Sequence, residues 1–236
     1  MAPITPLRIA IIINTDEAEP VRLFKQGYSS IFKTLDPNAT VTFYDPVVAQ
    51  VYPDPNAYDL IVVGGGTYIP GDESSWMVNL RGFLKSMVGT YEGRKMVGIC
   101  LGHQTLATML GGNMSYLSSG PELGITEFPL TEQGKEFFGS DTLRLQEFHM
   151  RVIDVTPTGF TPLADGGQIF LSEKNTVLTF QGHPEMSNEL ARFLLSRDSD
   201  YVTGESDAER AQIVESGAGR DDGLRVWKRI LDWVRE

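Results

Sequence analysis

In the first half of the chain, short β-branched apolar runs alternate with segments whose apolar residues recur at helical spacing. Residues 7–13 read as a first strand. Residues 20–35 follow as a helix with Val21, Phe24, Tyr28, Ile31 and Phe32 on one face. Residues 41–45 and 60–63 read as strands two and three, the latter running straight into Gly64-Gly65-Gly66-Thr67. A helix is predicted over 75–88 with Trp76, Leu80, Phe83, Leu84 and Met87 inward. A fourth strand over 96–99 ends at Cys100, and a helix over 101–110 closes on Gly111-Gly112, a natural C-terminal stop. The strands are apolar throughout rather than alternating, which fits a parallel sheet covered by helices on both faces. The fold class is α/β.

The stretch 113–169 has a different texture. Alternation at 125–130 and 151–155, punctuated by turn residues, predicts antiparallel strands appended to the parallel sheet. Residues 177–180 return to the buried-strand pattern and deliver Gly182-His183-Pro184-Glu185, before a helix over 188–195. Residues 198–222 are acidic and contain Gly and Ser, predicting a solvated loop or frayed helix. Residues 224–234 close the chain as an amphipathic docking helix with Leu224, Trp227, Ile230, Leu231 and Val234 inward.

Composition narrows the picture. At 236 residues and 41% hydrophobic, the chain can bury one substantial core, so a single domain spanning 1–236 is expected. Lys+Arg number 20 and Asp+Glu 31, a net charge of -11 that opposes nucleic acid and anionic membrane surfaces as partners. One cysteine excludes an internal disulfide framework, and no leader-like basic and apolar segment opens the chain, so a cytoplasmic location is expected. No apolar run approaches the roughly 20 residues of a membrane-spanning helix.

Gly98-Ile99-Cys100-Leu101-Gly102 has the form of a nucleophile elbow, in which flanking glycines let a strand turn sharply into a helix and hold the central side chain outward. That sheet edge is where α/β proteins place ligands. A helix N-terminus there lowers a thiol pKa from its free value of about 8.5, and the Leu101 N–H is placed to meet an oxyanion. A lone buried cysteine is ordinarily inert; the glycines, the strand-to-helix context and the histidines tilt this one toward nucleophile. A cysteine hydrolase needs a base oriented by a third polar group. His103 lies on the same predicted helix and reads as structural, and His149 falls in an irregular region. His183 follows a buried strand, with Glu185 able to reach back across Pro184. Gly64–Gly66 is not a phosphate loop, because no Gly-Lys-Ser/Thr pattern follows.

Together, Gly98-Ile-Cys-Leu-Gly-His-Gln104, Gly182-His-Pro-Glu185 and the glycine turn at 64–66 resemble the class I glutamine amidotransferase family, from about residue 7 to about residue 195. The resemblance implies a flavodoxin-like, three-layer sandwich and hydrolysis of a γ-glutamyl amide through a thioester on Cys100, with no cofactor and no metal. It implies Cys100 as nucleophile, His183 as acid/base and Glu185 as its orienter. Leu101 and either Gly65 or Gly66 would form the oxyanion hole, and Gln104 and the segment around Glu122 would hold the glutamyl moiety. Residues 72–84 are similar to stand-alone γ-glutamyl peptidases.

Two departures bear on function. The chain past Glu185 is too short for a fused synthetase domain of about 100 residues or more, so either a separate synthetase takes the ammonia or the substrate is simply hydrolysed. Relatives tend to carry His-x-Asp where this chain has His149-Met150-Arg151. Arg151 is expected in a surface salt bridge or, if it lines the pocket, against a substrate carboxylate. Rival readings are a non-catalytic regulatory protein, a thiol-based sensor and a nucleotide-binding flavodoxin-like protein. The intact Cys and His-Pro-Glu motifs disfavour the first two. The third is disfavoured because the switch-point loop ends in cysteine rather than phosphate-binding hydroxyls.

Overall fold

The computed structural model describes residues 5–197, 201–202 and 206–236. The first residues of the chain, read above for a leader, and 198–200 and 203–205 of the acidic segment lie outside the described residues. In chain order the elements are β1 (Arg8–Ile12), α1 (Ala18–Leu35), β2 (Thr40–Tyr44), β3 (Leu60–Val63), α2 (Ser75–Gly89), β4 (Lys95–Ile99), α3 (Leu101–Met109), β5 (Asn113–Tyr116) and β6 (Glu122–Pro129). They continue with α4 (Glu132–Phe138), β7 (Thr142–His149), β8 (Arg151–Val155), β9 (Phe160–Pro162), β10 (Ile169–Ser172), β11 (Val177–Phe180), α5 (Asn188–Leu195), α6 (Asp207–Ser216) and α7 (Gly223–Val234).

A seven-stranded sheet of order β2-β1-β3-β4-β11-β10-β9 forms the middle layer, parallel from β2 to β11 and antiparallel at β10 and β9. Strand side chains alternate between faces, so each apolar strand feeds two cores. Ile9, Ile11, Val62, Val97, Ile99 and Phe180 pack under α1, α5 and α7. Ala10, Ile12, Ile61, Val63 and Met96 pack under Trp76, Met77, Leu80 and Leu84 of α2 and Leu101 and Leu106 of α3. The first layer is keyed by Trp227, fully buried and edge-on to Tyr28 at 5.7 Å and to Phe32 at 5.3 Å. Such aromatic pairs contribute about 0.5–1.5 kcal/mol beyond area burial. The mostly parallel sheet between two helical layers is the three-layer arrangement expected from the sequence.

The antiparallel strands expected in the central region are present and fall into two sets. Only β9 and β10 extend the central sheet. β5 pairs with β8, and β6 with β7, as separate two-stranded antiparallel sheets. The β6–β7 connection contains α4, too short for apolar periodicity to reveal, capped by the Thr131 hydroxyl accepting from Gly134 N–H at 3.1 Å and ended by Gly139 at φ 67°. His149, expected in irregular chain, is instead the last residue of β7. Within the acidic segment, α6 is a regular helix begun by a reciprocal Ser206/Glu209 capping box. Leu224, expected inward, is 49% exposed. It sits in the first turn of α7, where the Cβ leans toward the helix start, in a shallow cleft beside Gly27, Ser30 and Ile31. No helix among the described residues is long and apolar enough to cross a membrane.

Candidate active site

Adjacency of β4 and β11 brings the two motifs together. The strands run parallel with Ile99 opposite Phe180, so Cys100 and the chain leading to His183 leave the same sheet edge side by side. The Cys100 N–H donates to the Phe180 carbonyl at 2.8 Å. Cys100 itself has φ 48° and ψ -102°, a conformation that costs a non-glycine residue about 1–3 kcal/mol and is held where the surroundings over-determine it. Gly102 is part of that constraint: a Cβ there would collide with the Val63 carbonyl. The turn opens α3, so the Leu101 N–H is the first helical donor and has no acceptor within the helix.

His183 is fixed from two sides. Its N–H donates to the Gln146 carbonyl at 2.8 Å, and its Nδ1 lies 2.8 Å from Glu185 Oε1. The Glu185 side chain is fully buried. The Cys100 and His183 side chains line the same cavity and meet beside Gly65. Burial pushes the Cys100 pKa up, but the charge and hydrogen bond of His183, with lesser help from His149 and Arg151, bring it below the ordinary thiol value. Burial works against a charged His183, yet Glu185 and Cys100 together hold its pKa well above 6.5. The resting pair is therefore biased toward thiolate and imidazolium.

The glycine turn completes this corner. Asn14 Nδ2 donates to the Gly64 carbonyl at 2.7 Å, pinning the loop. A Cβ on Gly65 would stand 2.6 Å from His183 Cε1 and 3.3 Å from Cys100 Cβ, so only glycine lets the backbone come this close. A small cavity of about 50 Å³ opens here, lined by Cys100 and His183 together with Gly66, Thr67, Phe148 and Tyr201.

The remaining candidates are distributed differently. Gln104 is buried in α3, its Nε2 donating to Gln181 Oε1 at 2.9 Å and to the Arg151 carbonyl at 3.3 Å. Arg151 is not in a surface salt bridge: it is 4% exposed, and its Nη2 donates to the Tyr68 carbonyl at 3.1 Å. Burial follows from its place at the start of β8, next to the glycine loop. Glu122 does not line the Cys100 cavity; its Oε2 lies 3.0 Å from His149 Nε2 and accepts from Gln168 Nε2 at 3.2 Å. His149 also faces the buried Glu147 at 3.0 Å. Burial opposes its charged form, but the two carboxylates overcome this and raise its pKa to about 10. His103 has no carboxylate partner among the described residues. It stacks on Phe170 at 5.3 Å, meets Thr179 Oγ1 at 2.9 Å, and burial lowers its pKa to about 3.

Glu147 and Gln181 went unnoticed in the sequence. Alternation over 142–149 would have placed Glu147 and His149 on one face had that stretch been read as a strand; nothing local marks Gln181.

The sequence profile of "Glutamine amidotransferase class-I" matches residues 24–198. The chain belongs to the class I glutamine amidotransferase family. Within that family it is similar to the "Glutamine amidotransferase-like protein chyE" of Penicillium rubens, 31% identical over 242 residues and 100% of both chains. It is also similar to "Gamma-glutamyl peptidase 5" of Arabidopsis thaliana, 25% identical over 237 residues, covering 94% of this chain and 93% of the relative. The crystal structure of a Thermotoga maritima glutamine amidotransferase superposes with a TM-score of 0.77 at 19% identity, over 98% of this chain and 100% of that one. At that identity the likeness establishes the shared amidotransferase fold.

Proposed function

We propose that this amidotransferase-family chain hydrolyses a γ-glutamyl amide bond through a thioester on Cys100. The observation that carries the reading is the convergence of the Cys100 and His183 side chains on one cavity at one sheet edge, with His183 bonded to the buried Glu185. The Cys100 thiolate attacks the γ-carbonyl carbon, and the developing oxyanion is met by the Leu101 N–H and by the backbone of Gly65 or Gly66. As the C–N bond breaks, His183 Nε2 gives its proton to the departing amine. Glu185, on Nδ1, keeps that tautomer and offsets the imidazolium charge. Water then enters, His183 takes one of its protons, and attack on the thioester releases glutamate and restores the thiol. Gln104 acts from behind, holding Gln181 and the chain at Arg151 rather than lining the cavity. In this reading the strained backbone at Cys100 aims the sulfur into the cavity.

The test is incubation of the purified chain with glutamine, glutathione and γ-glutamyl dipeptides, following free glutamate and a glutamyl adduct on Cys100 by mass spectrometry. Glutamate from the peptides with an adduct on Cys100 is the expected result. Glutamate from glutamine alone would mark an ammonia-supplying subunit, and turnover undiminished in Cys100→Ala would overturn the mechanism.

A further inference from the structure

We propose that Glu122, Glu147 and His149 form a binding site for a divalent transition-metal ion of the zinc class, separate from the Cys100 cavity. The placement is dictated by strand register. In the β6–β7 hairpin Glu122 stands directly opposite His149, and Glu147, two residues back on the same strand, shares its face. One donor atom from each of the three lies within 4.8 Å of the others.

The details of the donors are those of a metal site. His149 Nδ1 is 3.0 Å from the Arg151 carbonyl; a carbonyl only accepts, so Nδ1 carries a proton, and the second proton, which the two carboxylates hold on the inward-facing Nε2, is the one a metal ion would displace. This backbone-anchored imidazole is the usual outer support of a metal-bound histidine. Nε2 faces Glu122 Oε2 and Glu147 Oε2, each at 3.0 Å, yet it has no hydrogen-bond partner of acceptable geometry. The Glu147 side chain is completely buried, and neither of its oxygens has a hydrogen-bond partner. Two carboxylates and an imidazole nitrogen thus converge on one point, held together in the ion-free protein by the charge of a protonated imidazole. A dication there balances the two carboxylates while the imidazole stays neutral. Bonds of about 2.0–2.2 Å to a tetrahedral ion require donors ~3.3–3.6 Å apart, an opening of a few tenths of an ångström from the 3.0 Å contacts to His149 Nε2. Gln168 steadies Glu122 from outside at 3.2 Å. An imidazole with two carboxylates suits zinc or manganese better than calcium or magnesium.

Access is also present. Glu122 and Gln168 line a cleft of about 710 Å³ whose lining, among the described residues, includes Glu127, Asp154 and Asp165 and no lysine or arginine. The cleft is therefore an electronegative approach ending at the one ligand that is partly exposed, with 35% of the Glu122 side chain open. None of the three ligands lines the cavity beside Cys100.

Calorimetric titration of the zinc-freed full chain with Zn²⁺ tests this. One equivalent is expected to bind to the wild type and to Cys100→Ser, with at least a ten-fold loss of affinity in Glu147→Gln and in Glu122→Gln. Circular dichroism reports whether the buried Glu147→Gln variant folds; if it does not, the partly exposed Glu122→Gln variant decides. Substitution with Co²⁺ in the wild type should give visible d–d bands without a thiolate charge-transfer band. Absence of stoichiometric binding, unchanged affinity in Glu122→Gln, loss of binding in Cys100→Ser, or a thiolate band would each overturn the proposal.

Discussion

The molecule builds two histidine–carboxylate clusters from similar parts and places them differently. At the end of β11, His183 meets one carboxylate and a thiol, in a corner whose cavity is about 50 Å³. On β7, His149 meets two carboxylates, one of which, Glu122, lines a cleft of about 710 Å³. In both, Nδ1 is held by an oxygen, Glu185 in one and the Arg151 carbonyl in the other. What differs is the company of Nε2. In the proposed readings, Nε2 exchanges a proton with a nucleophile in the first cluster and shares a cation with two carboxylates in the second. His103 is the control within the same chain: stacked on Phe170 and bonded to a hydroxyl, with its pKa lowered to about 3, it stays neutral and serves packing.

The sharpest way to break this contrast is at the thiol. Cys100→Ala should cut glutamate release from γ-glutamyl substrates by about 10⁴-fold or more, measured in steady state, as expected when a nucleophile acting within a unit is removed. Glu185→Gln should cost about 10²–10⁴-fold in kcat, because the wrong imidazole tautomer is then favoured. Glu147→Gln should do far less; an equal loss would mean that the two clusters work as one. In the packing layer beneath the first cluster, Trp227→Ala should lower stability by about 3–5 kcal/mol in urea denaturation, and a change below about 1 kcal/mol would show that the seam between α1 and α7 does not anchor that side.

A pH profile sharpens the electronic half of the comparison. The Cys100 pKa is depressed and the His183 pKa raised, so the ion pair exists above the first and below the second. Alkylation of Cys100 by iodoacetamide should therefore rise with pH below the free-thiol value of about 8.5 and flatten before it. In Glu185→Gln the rise should move toward that value; a wild-type rise centred at 8.5 or above would refute the pairing. The smallest effect is expected at Leu224, where exchange of this half-exposed side chain for Ser should change stability by no more than about 0.5 kcal/mol.

Local signals in the sequence determined a good deal. Apolar runs too continuous for a one-sided sheet gave away β1, β3, β4 and β11, and the glycines around Cys100 announced a sharp strand-to-helix turn, because both are properties of neighbouring residues. His-Pro-Glu gave the imidazole a carboxylate two residues away. Tertiary structure decided everything that depends on partners distant in sequence. Strand order set β4 beside β11 and so brought Cys100 to His183. The β6–β7 register set Glu122 against His149 across an intervening helix that the sequence did not announce. Arg151 looks like a surface cation when read alone and becomes buried only because β8 starts beside the glycine loop. Periodicity reports which face a side chain takes, whereas which residues share that face across strands is set by register and strand order, and these are chosen by the packing of the whole chain.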